Sequence, residues 1–74
     1  MSEVKKRSVV VDGHKTSISL EDLFWTALRN LADERGKMLG EVVGEIASVR
    51  GSNNLSSAIR IFVLQHYIGL SQRQ

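Results

Sequence analysis

Between His14 and Ala32 the hydrophobic period changes from two to 3.6 at Leu20, with no loop between the two regimes. Ile18 and Leu20 alternate with Ser17 and Ser19, as in a strand with one buried face. Leu20, Leu23, Phe24, Ala27, Leu28 and Leu31 then recur at helical spacing. This predicts a short strand over residues 14–20 running directly into an amphipathic helix. A lone strand leaves its backbone unsatisfied, so a second strand must pair with it, and the same strand of a second chain is the cheapest partner. A further candidate lies upstream. Residues 8–11 are dominated by valine and lead into Asp12-Gly13, a dipeptide favoured where a hairpin needs positive φ. A strand at 7–11 folding back through a two-residue turn places Val11 opposite His14, Val9 opposite Thr16 and Arg7 opposite Ile18.

The first helix opens with Glu21 and Asp22, where negative charge suits the helix dipole. Ser19 with Asp22 has the spacing of a capping box, so Ser19 has two readings, a helix cap and an exposed ribbon residue. The helix is expected to end at Arg35-Gly36, with Gly36 left-handed. A second helix from about Leu39 carries Leu39, Val42, Val43, Ile46 and Ala47 on one stripe. Gly40 and Gly44 either allow a close approach or merely weaken that helix by about 1 kcal/mol each. Residues 50–54 read as a turn, with Asn54 capping a third helix from Leu55 to Tyr67. That helix has almost no polar face and should be buried nearly all round, for which one chain of 74 residues has too little material. Residues 1–6 are expected to be a flexible basic arm, 7–70 a single domain and 71–74 a disordered tail. The fold class is mostly α with a short β-ribbon, as an intertwined homodimer.

Size supports oligomerisation, because a core this small needs a staple or a partner. No cysteine is present, which excludes disulfides and thiolate zinc sites. His14 and His66 have no ligand-like companions, so no metal and no cofactor is expected. No signal peptide or membrane span is recognisable, and the expectation is a soluble, cytoplasmic protein without membrane contact. The formal charge of +2 is unevenly placed. Lys5, Lys6, Arg7 and Lys15 against Glu3 and Asp12 leave residues 1–20 at +2, residues 21–45 stand at −3, and Arg50, Arg60 and Arg73 give the remainder +3. Basic ends around an acidic middle would orient the molecule toward a polyanion, although ordinary solvated charges would look the same. No acid, base and nucleophile are placed to converge, so no catalytic residue is expected and an enzyme is disfavoured.

The combination of S-I-S-L-E-D-x-F-W with N-L-S-S-A-I-R resembles the ribbon-helix-helix family of small bacterial DNA-binding proteins, over nearly the whole chain. The resemblance implies a β-α-α unit with an additional C-terminal helix. It also implies a homodimer that lays a two-stranded ribbon in the major groove of double-stranded DNA, as a transcriptional regulator. On that reading Lys15, Ser17 and Ser19 face the groove, Ile18 and Leu20 face the core, and Lys5, Lys6 and Arg7 lie near phosphates. A dimer of hairpins, however, is a four-stranded sheet, too wide at ~4.8 Å per strand to enter a ~12 Å groove flat. A short or frayed outer strand is the favoured resolution.

Two helix starts are candidates for a phosphate clamp, since an exposed helix N-terminus offers unpaired amides to an anion. One is Lys37, Met38 and Leu39, favoured by connection length. The other is Asn54, Ser56 and Ser57, favoured by chemistry. The alternative function is a non-enzymatic interaction module, a dimeric adaptor or antitoxin-like protein partner, which would need the third helix and little else.

Overall fold

In the computed structural model, which describes residues 3–50 and 54–72, Asp12 and Gly13 take φ of 51° and 78°. Two consecutive positive φ values make the type I′ turn whose twist matches that of the flanking strands. It joins β1 (Val4–Val11) to β2 (His14–Glu21) in a two-stranded antiparallel sheet, with Val11 opposite His14, Val9 opposite Thr16 and Arg7 opposite Ile18. Three helices follow: α1 (Asp22–Glu34), α2 (Leu39–Arg50) and α3 (Leu55–Gln72).

The outer strand is neither short nor frayed. β1 begins at Val4 rather than at residue 7 and pairs along all eight residues, so Lys5 and Lys6 belong to the sheet and not to a flexible arm. The register set at the turn simply continues until β2 gives way to α1. Residues 1–2 lie outside the described part. At the other end the helical backbone of α3 runs through Gln72, past the expected end at Tyr67 and into the supposed tail. No proline follows Tyr67 to stop it, and Gly69 alone weakens a helix by only ~1 kcal/mol. Residues 73–74, like most of the expected 50–54 turn, fall outside the described part.

Helix α1 ends where Gly36 adopts φ 67°. The Lys37 N–H donates to the Ala32 carbonyl at 2.9 Å and the Gly36 N–H to Asp33 at 3.0 Å, the paired bonds of a Schellman motif. Its start differs from the expected capping box. The backbone stays extended through Glu21 (φ −67°, ψ 154°), which takes the N-cap position without a side-chain cap bond, so Ser19 sits two residues too early to cap.

The core lies between the sheet's inner face and the helices. Val9, Ile18 and Leu20 meet Leu28, Leu31 and Ala32 of α1, Val42, Val43 and Ile46 of α2, and Ala58, Ile59 and Val63 of α3. No polar side chain is buried among the described residues. Leu23, expected in the α1 stripe, is 76% exposed. It lies five residues before Leu28, about 140° around the helix from that buried position. Trp25 is half-buried, packed on the core with one side open. Helix α3 is covered on one side only: Ile61, Leu64 and Ile68 remain exposed along a single stripe.

Gly40 of α2 is explained by close approach, and the neighbour is a strand. A Cβ at Gly40 would stand 2.0 Å from the Val10 carbonyl oxygen, and one at Gly44 3.3 Å from Val11 Cγ1.

Candidate nucleic-acid interface

Residues flanking a two-residue turn form a hydrogen-bonded pair, and antiparallel ladders alternate thereafter. The backbone groups of Lys15, Ser17 and Ser19 therefore point off the open edge of β2, and those of Lys6, Ser8 and Val10 off the edge of β1. Contacts at both edges agree with this alternation. At the β2 edge the Ser19 N–H donates to Ser56 Oγ at 3.1 Å. At the β1 edge the Val10 carbonyl lies under Gly40.

The side chains of the same residues share the sheet's outer face. Lys15 and Ser17 are exposed and Ser19 is half-buried beside α3. Directly across the ladder, Val10 faces Lys15, Ser8 faces Ser17 and Lys6 faces Ser19, all three exposed. The outer face is thus a strip with two lysines on a diagonal, serines between them and Val10 beside the turn. Ser8 and Val10 were not among the residues expected to contact DNA. The Asp12-Gly13 turn already carries that information, because its register pairs each with a named ribbon residue.

Lys5 and Arg7 are not part of this strip. Pleating puts them on the other face, where both reach Asp22: Lys5 Nζ stands 3.4 Å from Oδ2, and Arg7 forms an ion pair with Oδ1. Arg7 also lies over the Trp25 ring, 5.0 Å from its centre. The Arg7 guanidinium, opposed by partial desolvation and helped by Lys5, holds the Asp22 carboxyl below its ordinary value. Of the three basic residues expected near phosphates, only Lys6 joins Lys15, Ser17 and Ser19.

The two candidate clamps occupy opposite edges of the hairpin. At the start of α2, Glu41 Oε1 accepts the Met38 N–H at 2.8 Å, and Lys37 is paired with Glu45. Met38 is exposed and Leu39 packs on the core. Negative charge is therefore already present at that helix start. At the start of α3 no acidic residue occurs in the first turn. Asn54 holds φ 57°, which asparagine tolerates better than most residues, and its carbonyl accepts the Ala58 N–H at 3.0 Å. Asn54 and Ser57 are exposed, and Ser56 binds the end of β2. Arg60, one turn further on, donates to Glu21 Oε1 at 2.9 Å and reaches the Ser19 carbonyl at 3.5 Å. That bond to Arg60 lowers the Glu21 carboxyl below its ordinary value, against partial desolvation. Among the described residues no cluster of three metal-ligating side chains occurs, and no helix is long and apolar enough to cross a membrane.

Residues 4–67 match the family described as ribbon-helix-helix domain. The fold is similar to that of an uncharacterized protein from Bordetella pertussis Tohama I, with a TM-score of 0.76 and 27% sequence identity. That likeness covers 95% of this chain and 60% of the other, so the chain spans about three-fifths of its neighbour's length. No curated protein matches the chain.

Proposed function

This chain belongs to the ribbon-helix-helix domain family, and from that premise we propose that it is a homodimeric DNA-binding protein acting as a transcriptional regulator. Members of the family generally bind DNA as dimers. One observation carries the reading: the polar strip of Lys6, Lys15, Ser17 and Ser19 lies on the solvent side of the hairpin, with an acid-free helix start attached to its end through Ser56.

In the proposed dimer, β2 pairs with its copy along the open edge that presents the Lys15 and Ser17 backbone groups. The result is a four-stranded sheet, β1 outermost on each side. Adjacent strands rotate by about 20–25°, so the outer strands tilt away while the two β2 strands enter the groove. Lys6 then stands at the rim, where phosphates run, and the α3 start supplies amides to a flanking phosphate. The strip lacks the bidentate arginine or asparagine that reads a base strongly, so most of its affinity comes from the backbone. The exposed Ile61, Leu64 and Ile68 stripe supplies apolar surface for the second subunit. It also suits the alternative, a protein-interaction module.

A titration of mixed-sequence duplex DNA across salt concentrations, alongside sedimentation, tests the proposal. Affinity falling linearly with log salt in a dimer supports it. A folded dimer without salt-dependent affinity for any duplex overturns DNA binding in favour of the interaction module. A compact monomer at micromolar concentration overturns the ribbon.

A further inference from the structure

The junction between β2 and α1 repeats one small device twice. Glu21, the extended N-cap residue, and Phe24 stand three residues apart, as do Asp22 and Trp25 in the first turn of α1. Each pair holds one arginine. Asp22 and Trp25 take Arg7, whose side chain is only 17% exposed and whose Nε is buried without a hydrogen-bond partner. Glu21 and Phe24 take Arg60, whose guanidinium carbon lies 6.0 Å from the Phe24 ring centre. Phe24 and Trp25 are consecutive on α1, so their rings project about 100° apart around the helix. One pair therefore meets β1 and the other α3.

We propose that these two carboxylate-and-ring pairs are brackets, and that Arg7 and Arg60 are positioning residues that fix the ribbon against the α3 start instead of binding phosphate. The inference rests on the functional reading given above. A guanidinium is suited to the task because it stacks flat on a ring while its edge nitrogens donate to a carboxylate, which an ammonium cannot do at once. Arg60 also bonds the Ser19 carbonyl, beside the N–H that Ser56 receives. One arginine thus ties together α1, the reading strand and the helix start proposed to clamp phosphate.

The two functions of an arginine give opposite signs when its carboxylate is neutralised. If Arg60 or Arg7 binds phosphate, Glu21→Gln or Asp22→Asn frees it and removes a repelling charge, so duplex affinity rises. If they are brackets, each variant loosens the ribbon, and affinity falls about threefold to tenfold with circular dichroism unchanged. Higher or unchanged affinity overturns the proposal. Trp25, the only tryptophan, gives a readout in the free protein. Arg7→Gln and Asp22→Asn should change its emission alike, since both release the guanidinium from the ring, and Glu21→Gln should leave it unchanged. An Asp22→Asn spectrum identical to that of the unmodified chain overturns the Arg7 bracket. Should no duplex be bound at all, the functional reading fails and the emission spectra still decide the Arg7 bracket.

Discussion

The starts of α2 and α3 seat on opposite edges of one hairpin, and they do so by different chemistry. At the β1 edge contact is made by backbone, with Gly40 against the Val10 carbonyl, and the exposed groups there carry their own anions, Glu41 on the Met38 N–H and Glu45 on Lys37. At the β2 edge contact is made by a side chain, Ser56 on the Ser19 N–H, and the first turn holds no acid. Two helix N-termini have the same dipole, so dipole alone does not distinguish a binding end from a structural one. What distinguishes them is whether the chain has already supplied the negative charge. By that criterion α2 is an anchor, and α3 is the end that the proposed function would offer to a phosphate.

The anchor breaks most sharply at Gly40. A methyl group there collides with a backbone oxygen, so strand or helix must move. Gly40→Ala should lose about 1–3 kcal/mol from overpacking, against a helix-propensity gain of about 1 kcal/mol. Gly44→Ala meets only a valine methyl, which can rotate aside, and should be neutral or mildly stabilising. Urea unfolding of the two variants checks this, and equal stabilities would remove the close contact from the account.

A charge placed at either helix start separates their functions. Ser57→Glu puts a carboxylate in the first turn of α3, where it suits the dipole and should leave stability unchanged or slightly raised. Duplex affinity should nevertheless fall about tenfold or more, through repulsion of phosphate and loss of one backbone contact per subunit. Glu41→Gln removes the acid from α2 and should alter affinity less than twofold. If Glu41→Gln tightens binding instead and Ser57→Glu has no effect, the roles of the two ends are reversed.

On the ribbon face, Lys15→Ala should weaken binding to every duplex. Two lysines are lost per dimer, so the slope of log affinity against log salt should decrease by about 2. Selective weakening on particular sequences, with the slope kept, would instead make Lys15 a base contact.

The hairpin was legible from Asp12-Gly13 and the valines before it, because turn chemistry fixes register and register fixes faces. The end of α1 was legible from Gly36 for a similar local reason. The anchor was not, since the pattern offered both a close approach and a weak helix for Gly40 and Gly44, and only the position of β1 decides between them. Arg7 is a different case, since the expected register already sets it opposite core-facing Ile18, and only the packing shows which groups it meets there. Its charge pointed to phosphate, but the pleat that makes it a neighbour of Val9's face also turns it toward Asp22 and Trp25. Leu23, Ile61, Leu64 and Ile68 fit a hydrophobic pattern yet stay exposed, because periodicity marks apolar positions without saying which of them a neighbouring element covers. Local rules carried the elements, and what required tertiary packing was the allocation of each charged or apolar residue to a partner.

The smallest expected effect is acid sensitivity at the β2–α1 junction. Glu21 and Asp22 titrate below their ordinary values of 4.5 and 3.8. Arg60 of α3 faces Glu21, and Arg7 and Lys5 of β1 face Asp22. For a carboxylate depressed by folding, the native state binds its proton less readily than the unfolded chain. Its stabilisation is therefore complete above the ordinary value and lost as pH falls through the folded one. The loss should begin near pH 4.5 and continue below 3.8. Both carboxylates are open to solvent and screened, so the change in thermal midpoint should be a few degrees at most, and high salt should shrink it. A Glu21→Gln, Asp22→Asn double variant should start from a slightly lower midpoint and lose less over the same interval. Parallel pH profiles for the two proteins would mean that the arginine pairs contribute nothing to folding, even where they fix the ribbon's pose.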